Sequence, residues 1–349
     1  MSVRDRLLAV LVAVLWGLNF LAVRVGLDHY PPFFLSALRF VVLAIPVIVF
    51  VPRPKVPLRW LVIYGLGFGA MQFGLLFLAI DQGMPSGQAS VVVQASAPFT
   101  MLLGALLLGE RISRRQLAGV AVAVAGMTLI AVERARSAAL LPLLLTLLAA
   151  LGWAFGNIAS RRARPDHPLR FALWMSVVPP LPLLALSAVM EGPGTGWRDF
   201  GASFSADGWP GLVALVYTAL AGSVVGSGIW TTLLKRYEAG KVAPFSMLVP
   251  VVAVLAAWLA LGEQPTLWSA LGGAAVVTGV LLGTGWTPFG RRRTPVGRPA
   301  PAGRAAPPPP PPVEGAAAVP PQPARPLQPP RPARPAPPTA RSRPGDVRR

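Results

Sequence analysis

One short pattern of glycines and a glutamate occurs twice in this chain, at a constant separation of 153 residues. The first copy is Gly109-Glu110, Gly119 and Gly126, and the second is Gly262-Glu263, Gly272 and Gly279. Each copy belongs to a half of the chain that contains five apolar segments of membrane-spanning length. Because five is odd, the second half must enter the bilayer from the opposite face. Two inverted repeats are the architecture of many secondary transporters, since the pair supplies two similar states that open to opposite sides.

The apolar segments predict an all-α integral membrane protein with ten transmembrane helices, because a spanning helix needs roughly 20 mostly apolar residues. The segments cover residues 6–27, 33–51, 58–80, 86–108, 114–132, 139–160, 169–190, 209–234, 242–261 and 266–286. Charged residues make up 13% of the chain, against about 25% in soluble domains. The composition therefore indicates a membrane protein with little mass outside the bilayer.

The distribution of Lys and Arg predicts that both termini lie in the cytoplasm, because cytoplasmic loops are enriched in these residues. With the N-terminus inside, the inner segments before residue 288 hold fifteen Lys and Arg residues. The outer loops hold three, namely Arg134, Arg136 and Arg198. Two termini on one side require an even number of helices, and ten satisfies this requirement.

The chain divides into three predicted regions. Residues 1–136 form the first repeat with helices 1–5, residues 137–287 form the second with helices 6–10, and residues 288–349 form a tail. The tail holds 21 of the 40 prolines and a net charge of +10, so we expect it to be disordered. It is either a basic arm attracted to anionic lipid or nucleic acid, or a solvated tail with no specific role. Its scattered arginines favour the second interpretation, and we expect no specific nucleic-acid partner.

The chain contains no cysteine, which excludes disulfides, thiol nucleophiles and Cys-ligated metals. Its two histidines, His29 and His167, fall in predicted loops on opposite sides of the membrane. The sequence therefore indicates no catalytic residue, no metal site and no cofactor.

Polar side chains inside the predicted helices are candidates for substrate contact, because burying them in a bilayer is costly. Helix 1 carries Trp16 and Asn19 about one turn apart, and helix 6 carries Trp153 and Asn157 in a similar arrangement. An asparagine side chain offers both donors and acceptors. It could hold the carboxylate or the amine of a substrate, or it could bond to a neighbouring helix. Both interpretations stay open.

Arg39 lies about two turns into helix 2, where its charge needs a partner or water. It could attract the carboxylate of an amino acid, snorkel towards the surface, or pair with Asp28 or Asp81. Gln72 and Gln94 lie deep in helices 3 and 4. Each could line a cavity or pack against another helix.

Three further residues have two interpretations each. Trp230 in helix 8 could shape a pocket or belong to the aromatic belt at the membrane interface. Glu110 and Glu263 end helices 4 and 9, where each could carry a proton or form an ion pair in its loop. The expected partner of Glu110 in such a pair is Arg114 or Arg115.

Several motifs together indicate a family. They are Trp16-Gly17-Leu18-Asn19-Phe20, Leu38-Arg39-Phe40, Gly83-Met84-Pro85-Ser86-Gly87, Leu108-Gly109-Glu110-Arg111 and Leu261-Gly262-Glu263. Over residues 5–286 the chain resembles the EamA family of the drug/metabolite transporter superfamily, and residues 153–157 and 228–230 resemble its O-acetylserine/cysteine exporter branch. The resemblance implies ten helices, a central cavity lined by helices 1–4 and 6–9, and export of small metabolites in exchange for protons. No buried Asp or Glu stands out as a coupling residue, so a facilitated exporter stays open.

The resulting hypothesis is an inner-membrane exporter of amino-acid-like metabolites, with cysteine and O-acetylserine as the expected substrates. The predicted substrate-binding residues are Trp16, Asn19, Arg39, Gln72, Gln94, Trp153, Asn157 and Trp230. The expected partners are the small-molecule substrate and the lipid bilayer, while a coupling proton and a homodimer are left open. The alternatives are an exporter of another metabolite or drug, and a membrane-embedded enzyme acting on lipid. Such an enzyme would need grouped carboxylates, histidine or a metal cluster.

Overall fold

The computed structural model describes residues 1–136, 140–237 and 239–283, and every regular element within these ranges is helical. Eight of the described helices are long and apolar enough to cross a membrane, and two further apolar helices are shorter. This confirms the predicted all-α membrane protein, and the two shorter helices lie where the ninth and tenth spans were predicted. The tail predicted for residues 288–349 lies outside the described residues.

The ten apolar helices follow one another along the chain and are labelled α1 to α10. They are α1 (Val3–Leu27), α2 (Pro32–Phe50), α3 (Leu58–Asp81), α4 (Ser86–Leu108), α5 (Arg114–Arg136), α6 (Leu140–Ala163), α7 (Pro168–Met190), α8 (Trp209–Arg236), α9 (Phe245–Leu261) and α10 (Leu267–Gly283). A short helix, Thr195–Ala202, lies in the loop between α7 and α8. Most of the buried apolar side chains belong to one core, which is centred on α2 and on the second half of α3.

Departures from regular α-helix occur in corresponding helices of the two halves. The third helix of each half contains a π-helical segment, Gly65–Met71 in α3 and Tyr217–Val225 in α8. The fourth helix of each half involves a 3₁₀ segment, Val93–Ala95 within α4 and Ala243–Met247 at the start of α9. Pro98 contributes to the first of these, because proline has no N–H to donate to the carbonyl four residues earlier. Such π segments are frequent at functional sites.

The glycines of the repeated motif are the contact between α5 and α10. A Cβ atom at Gly119 would lie 2.6 Å from the carbonyl oxygen of Gly279, and one at Gly126 would lie 2.6 Å from that of Gly272. Only glycine permits such close approach of two backbones. The paired residue numbers run in opposite directions, so the two helices are antiparallel. Adding the 153-residue offset to 119 and 126 gives 272 and 279, so exchanging the two copies converts one contact into the other.

The Gly-Glu pair of each motif ends a helix and ties it to the other half of the chain. Gly109 and Gly262 have φ values of 68° and 69°, a left-handed conformation that favours glycine at a helix C-terminus. The Glu263 carboxylate then accepts hydrogen bonds from the backbone N–H groups of Ser86 and Gly87, at 3.1 and 3.2 Å. In the first half, the equivalent residue Glu110 forms an ion pair with a cation other than the expected Arg114 or Arg115.

That cation is Arg161 at the end of α6, whose Nη1 lies 2.9 Å from Oε2 of Glu110. The expected partners, Arg114 and Arg115, are nearer in sequence but form no ion pair with Glu110, and Nε of Arg115 instead donates to the carbonyl oxygen of Leu282 at 3.2 Å. The ion pair is half exposed on both sides. Its contribution to stability is therefore small, at about 0–1 kcal/mol.

The carboxylate of Glu191, which directly follows α7, fixes the start of α2. Glu191 accepts from the backbone N–H groups of Phe33 and Phe34, at 2.6 and 3.1 Å. The first N–H groups of a helix have no partner within the helix, and negative charge is favourable at this end. The contact sets the position of α2, which carries Arg39 two turns further along.

Candidate functional site

Arg39 is a buried cation without a carboxylate partner among the described residues. Its side chain is held in the core, with 5% of the residue exposed. Nη2 donates a hydrogen bond of 2.8 Å to Oγ of Ser223 in α8, and Cζ lies 4.0 Å from the centre of the Phe73 ring in α3. Nε and Nη1 are buried and have no hydrogen-bond partner in the described part of the chain. Two nitrogens of a charged group are therefore available to a ligand.

Neither of the structural alternatives for Arg39 matches this environment. Asp28 accepts from Arg24 at 2.7 Å, and Asp81 accepts from the side chain of Gln82 at 3.0 Å. Snorkelling would leave the guanidinium at the surface, whereas it is buried over Phe73. A buried cation is costly unless a partner neutralises it.

Three more buried polar atoms have no partner among the described residues. They are Oδ1 of Asn19, Oγ of Ser36 and Oε1 of Gln72. Ser36 precedes Arg39 by one turn on the same face of α2, and Gln72 directly precedes Phe73. Buried polar groups are rarely unpaired in native proteins, and those that are need a specific explanation. We call Asn19, Ser36, Arg39, Gln72 and Ser223 the Arg39 site.

The π segment of α8 brings α1 to this site. The Nε1 of Trp16 donates to the carbonyl oxygen of Gly222 at 2.8 Å, and a Cβ atom at Gly222 would lie 2.6 Å from Oδ1 of Asn19. Gly222 therefore has to be glycine for α1 to lie this close. The next residue, Ser223, is the hydrogen-bond partner of Arg39.

Trp16 also packs against Trp230, and their ring centres lie 5.3 Å apart. The structure thus groups four of the predicted site residues, Trp16, Asn19, Arg39 and Trp230, along residues 222–230 of α8.

A row of aromatic rings connects Trp153 in α6 to the same arginine. Trp153 meets Phe68 at 5.7 Å between ring centres, and Phe68 meets Phe73 at 5.7 Å. Phe73 is the ring that lies against the Arg39 guanidinium. Phe68 and Phe73 were not among the predicted site residues, because an aromatic residue in a membrane helix carries no sequence signal that separates a site wall from the core.

The two remaining predicted residues make contacts between helices. Nδ2 of Asn157 donates to Oγ1 of Thr100 in α4 at 3.0 Å, which matches the interhelical interpretation of this asparagine. Nε2 of Gln94 lies 3.7 Å from the sulfur of Met247. Residues 94 and 247 are separated by the same offset of 153 as the glycine motif. Gln94 therefore lies where the equivalent helices of the two halves meet.

Both ends of the bundle around this site are tied by side chains. At one end, the hydroxyl of Tyr30 hydrogen-bonds to Oγ of Ser203 at 2.6 Å, and burial raises the pKa of Tyr30. At the other end, Asp5 in α1 accepts from the hydroxyl of Tyr237, just after α8, at 2.6 Å and from Oγ of Ser2 at 2.7 Å. Each of these contacts joins α1, or the loop that follows it, to the second half of the chain.

Comparison with known proteins places this geometry in a family. The model of the EamA-like transporter family matches the chain twice, over residues 6–132 and 140–284. The chain belongs to this family. The resemblance expected from the motifs is thereby confirmed, and the two matches cover the described helices of both halves.

Similar proteins include two whose names concern amino acids. A "Probable amino-acid metabolite efflux pump" of Escherichia coli (strain K12) is 42% identical over 289 residues, which are 81% of this chain and 95% of the relative. A "Probable terminal-alkyne amino-acid exporter" of Streptantibioticus cattleyicolor is 30% identical over 294 residues, 81% of this chain and 94% of the relative. The first name agrees with the expected exporter branch.

The fold also matches a solved crystal structure. That chain aligns with a TM-score of 0.51 and 22% identity, over 81% of this chain and 97% of its own length. The identity is too low to carry an argument about substrate, so this likeness supports the fold alone.

Proposed function

We propose that this EamA-family protein is a secondary transporter of the cell membrane that exports small amino-acid-like metabolites, with cysteine and O-acetylserine as the expected substrates. The names of the two similar exporters support an amino-acid class of substrate. The observation that carries the proposal is the buried Arg39 guanidinium, which has two unpaired nitrogens and no carboxylate partner among the described residues.

In this proposal the substrate carboxylate binds one edge of the Arg39 guanidinium. Nη2 donates one of its two hydrogens to Ser223, and its other hydrogen is parallel to an N–H of either Nε or Nη1, so a pair of charge-assisted hydrogen bonds to a carboxylate can form. The bond to Ser223 and the ring of Phe73 hold the guanidinium plane. The arginine is therefore fixed in position before the substrate arrives.

The unpaired acceptors of the Arg39 site would bind the substrate ammonium. Oδ1 of Asn19 and Oε1 of Gln72 are both buried oxygens without a described donor. A zwitterion carries two negative oxygens and three N–H donors, which complement the donors of Arg39 and these acceptors. Trp16, Trp153 and Trp230 would form walls of the cavity around the side chain.

Gln94 and Asn157, which were also proposed to contact substrate, would line this cavity while they hold α4 against α9 and α6. Their present bonds to Met247 and Thr100 support the contact between helices.

Transport in this proposal proceeds by alternating access of two inverted repeats, residues 1–136 and 137–287, with both termini in the cytoplasm. Three features support it: the antiparallel glycine contact that is preserved when the copies are exchanged, the irregular segments in equivalent helices, and the Glu110 and Glu263 ties between halves. An inverted pair provides two states of similar energy that open to opposite sides.

The test is transport of radiolabelled cysteine and O-acetylserine in vesicles that contain the purified full chain. We compare the parent with Arg39→Ala and Asn157→Ala, and use Arg24→Ala as the matched control because Arg24 is paired with Asp28 and partly exposed. We expect loss of transport for Arg39→Ala and retention for the control. Undiminished transport by Arg39→Ala would remove this residue from the site, and transport of other metabolites alone would replace the proposed substrates.

Coupling to protons is a separate hypothesis within the proposal. If protons are exchanged for substrate, an imposed pH gradient drives substrate transport against its own concentration gradient. A facilitated exporter only equalises the two concentrations, whatever the pH gradient.

A further inference from the structure

A cavity lies apart from the Arg39 site, between the start of α4 and the helices α9 and α10. Its volume is about 930 Å³, within the range of about 300–1,000 Å³ that is typical of small-molecule sites. None of the residues of the Arg39 site lines it. We call it the α9–α10 cavity.

The walls of the α9–α10 cavity are mostly apolar, and part of the lining is exposed on the outer surface of the bundle. Val91, Val254 and Val277 line its interior, while Val251 and Leu255 line it with 50% and 46% of their surface exposed. On α10 the lining extends from Ser269 to Thr278, about 13 Å at 1.5 Å per residue. A hydrocarbon chain could therefore enter from the bilayer and lie along the helix.

One end of the α9–α10 cavity carries two carboxylates, Glu133 and Glu263. Glu133 accepts hydrogen bonds from Oγ1 of Thr266 and, at 2.5 Å, from Oγ of Ser269, which itself accepts from Gln88 at 2.7 Å. Glu263, which caps α4, lines the same cavity. The described lining residues include these two carboxylates and neither Lys nor Arg.

Neither carboxylate forms an ion pair with a described side chain. An ionised carboxylate offers about four acceptor positions, so the one described hydrogen bond on each oxygen of Glu133 leaves room for another donor.

We propose that the α9–α10 cavity binds an amphiphilic organic cation, with its ammonium group at Glu133 and Glu263 and its hydrocarbon chain between α9 and α10. Charge complementarity decides the occupant, because the polar end is negative and the remainder is apolar. A phospholipid fits less well, since its phosphate would lie beside two carboxylates. The Arg39 site has the opposite preference, as it offers its charge to an anion.

The experiment is photo-crosslinking of the purified full chain in phosphatidylcholine nanodiscs. The probes are dodecylamine carrying a diazirine in its chain and the corresponding dodecanol, which differ only in the charged head. Mass spectrometry then locates the labelled peptides. We expect the amine to label residues of α9 and α10 roughly tenfold more than the alcohol, as one charge-assisted contact would produce.

The variants distinguish loss of the carboxylate charge from a general loss of the cavity. Glu133→Gln should reduce amine labelling to the level of the alcohol, while Glu110→Gln, which changes the counterpart of Glu263 in the first half, should leave it unchanged. Ala274→Phe fills the cavity from an exposed position on α10 and should abolish labelling by both probes. Cysteine at saturating concentration should not compete, because it belongs to the other site.

Three results would overturn the proposal. They are equal labelling by amine and alcohol, unchanged amine labelling in Glu133→Gln, and loss of labelling when phosphatidylethanolamine replaces phosphatidylcholine. The last would show that the cavity is a lipid site. Failure of cysteine transport would leave this result unaffected, since the two sites share no residue.

Discussion

Replacement of Arg39 by methionine should abolish recognition of the substrate carboxylate while preserving the fold. Methionine is flexible enough to fill the space beside Phe73, and it removes a buried charge whose desolvation costs several kcal/mol. The variant loses the hydrogen bond to Ser223 and the contact with the Phe73 ring. These losses offset the relief of the buried charge, so we expect a melting temperature close to that of the parent.

The loss of affinity follows from the pair of hydrogen bonds that one edge of the Arg39 guanidinium can donate to the carboxylate. Each charge-assisted hydrogen bond contributes about 1.5–3 kcal/mol, so the pair contributes about 3–6 kcal/mol to carboxylate binding. At about 1.4 kcal/mol per tenfold change, the affinity for cysteine should decrease at least roughly a hundredfold. Arg39→Lys keeps the charge but loses the paired donors, so its affinity for cysteine should lie between those of the parent and of Arg39→Met.

The assay is thermal stabilisation of the purified protein in nanodiscs by increasing ligand, because a ligand that binds only the folded state raises its stability. Cysteine is compared with cysteamine, which has the same thiol and amine but no carboxylate. The parent should bind cysteine much more tightly than cysteamine, and Arg39→Met should bind both equally weakly. Arg24→Met is the matched control. Unchanged cysteine binding by Arg39→Met, or an equal loss of cysteine and cysteamine affinity, would refute this role for Arg39.

Two further substitutions test the packing of the halves. Gly126→Leu should lower the melting temperature, because its side chain would meet the carbonyl of Gly272 and overpacking costs about 1–3 kcal/mol. Ala125→Leu, at the exposed neighbouring position, is the control. An equal decrease for both variants would contradict the α5–α10 contact. Glu191→Gln should destabilise the protein by about 1 kcal/mol, because the start of α2 loses a charged acceptor. Asp81→Asn, which removes an exposed charge, is the control and should leave the melting temperature unchanged. If Glu191→Gln melts at the temperature of the parent, the charge of Glu191 does not stabilise the start of α2.

The positions of the helices could be predicted from the sequence because a membrane span needs a long apolar run whatever its neighbours are. The glycine motif was informative for a similar reason, since backbones that touch, as at Gly119 and Gly126, exclude every larger side chain. The depth of Arg39 in helix 2 was also visible. Its lack of an acidic partner was not, because that depends on where Asp28 and Asp81 point.

The remaining features depend on contacts between residues far apart in the chain. Ser223 reaches Arg39 across 184 residues, and Glu191 reaches Phe33 across 158. The π segment that contains Gly222 has no distinct sequence pattern. Asn19 and Asn157 looked equivalent in the sequence, yet Asn157 is bonded to Thr100 while Oδ1 of Asn19 has no described partner.

Sidedness of two equivalent residues tests the inverted arrangement most directly. Arg111 and Gln264 follow Glu110 and Glu263, are both exposed, and differ by the 153-residue offset. Because the chain has no cysteine, a single cysteine at either position can be labelled in intact cells with a membrane-impermeant maleimide. Inverted repeats predict that Gln264→Cys reacts from outside, and that Arg111→Cys reacts only after the membrane is permeabilised. Reaction of both from the same side would contradict the inversion and the transport cycle built on it.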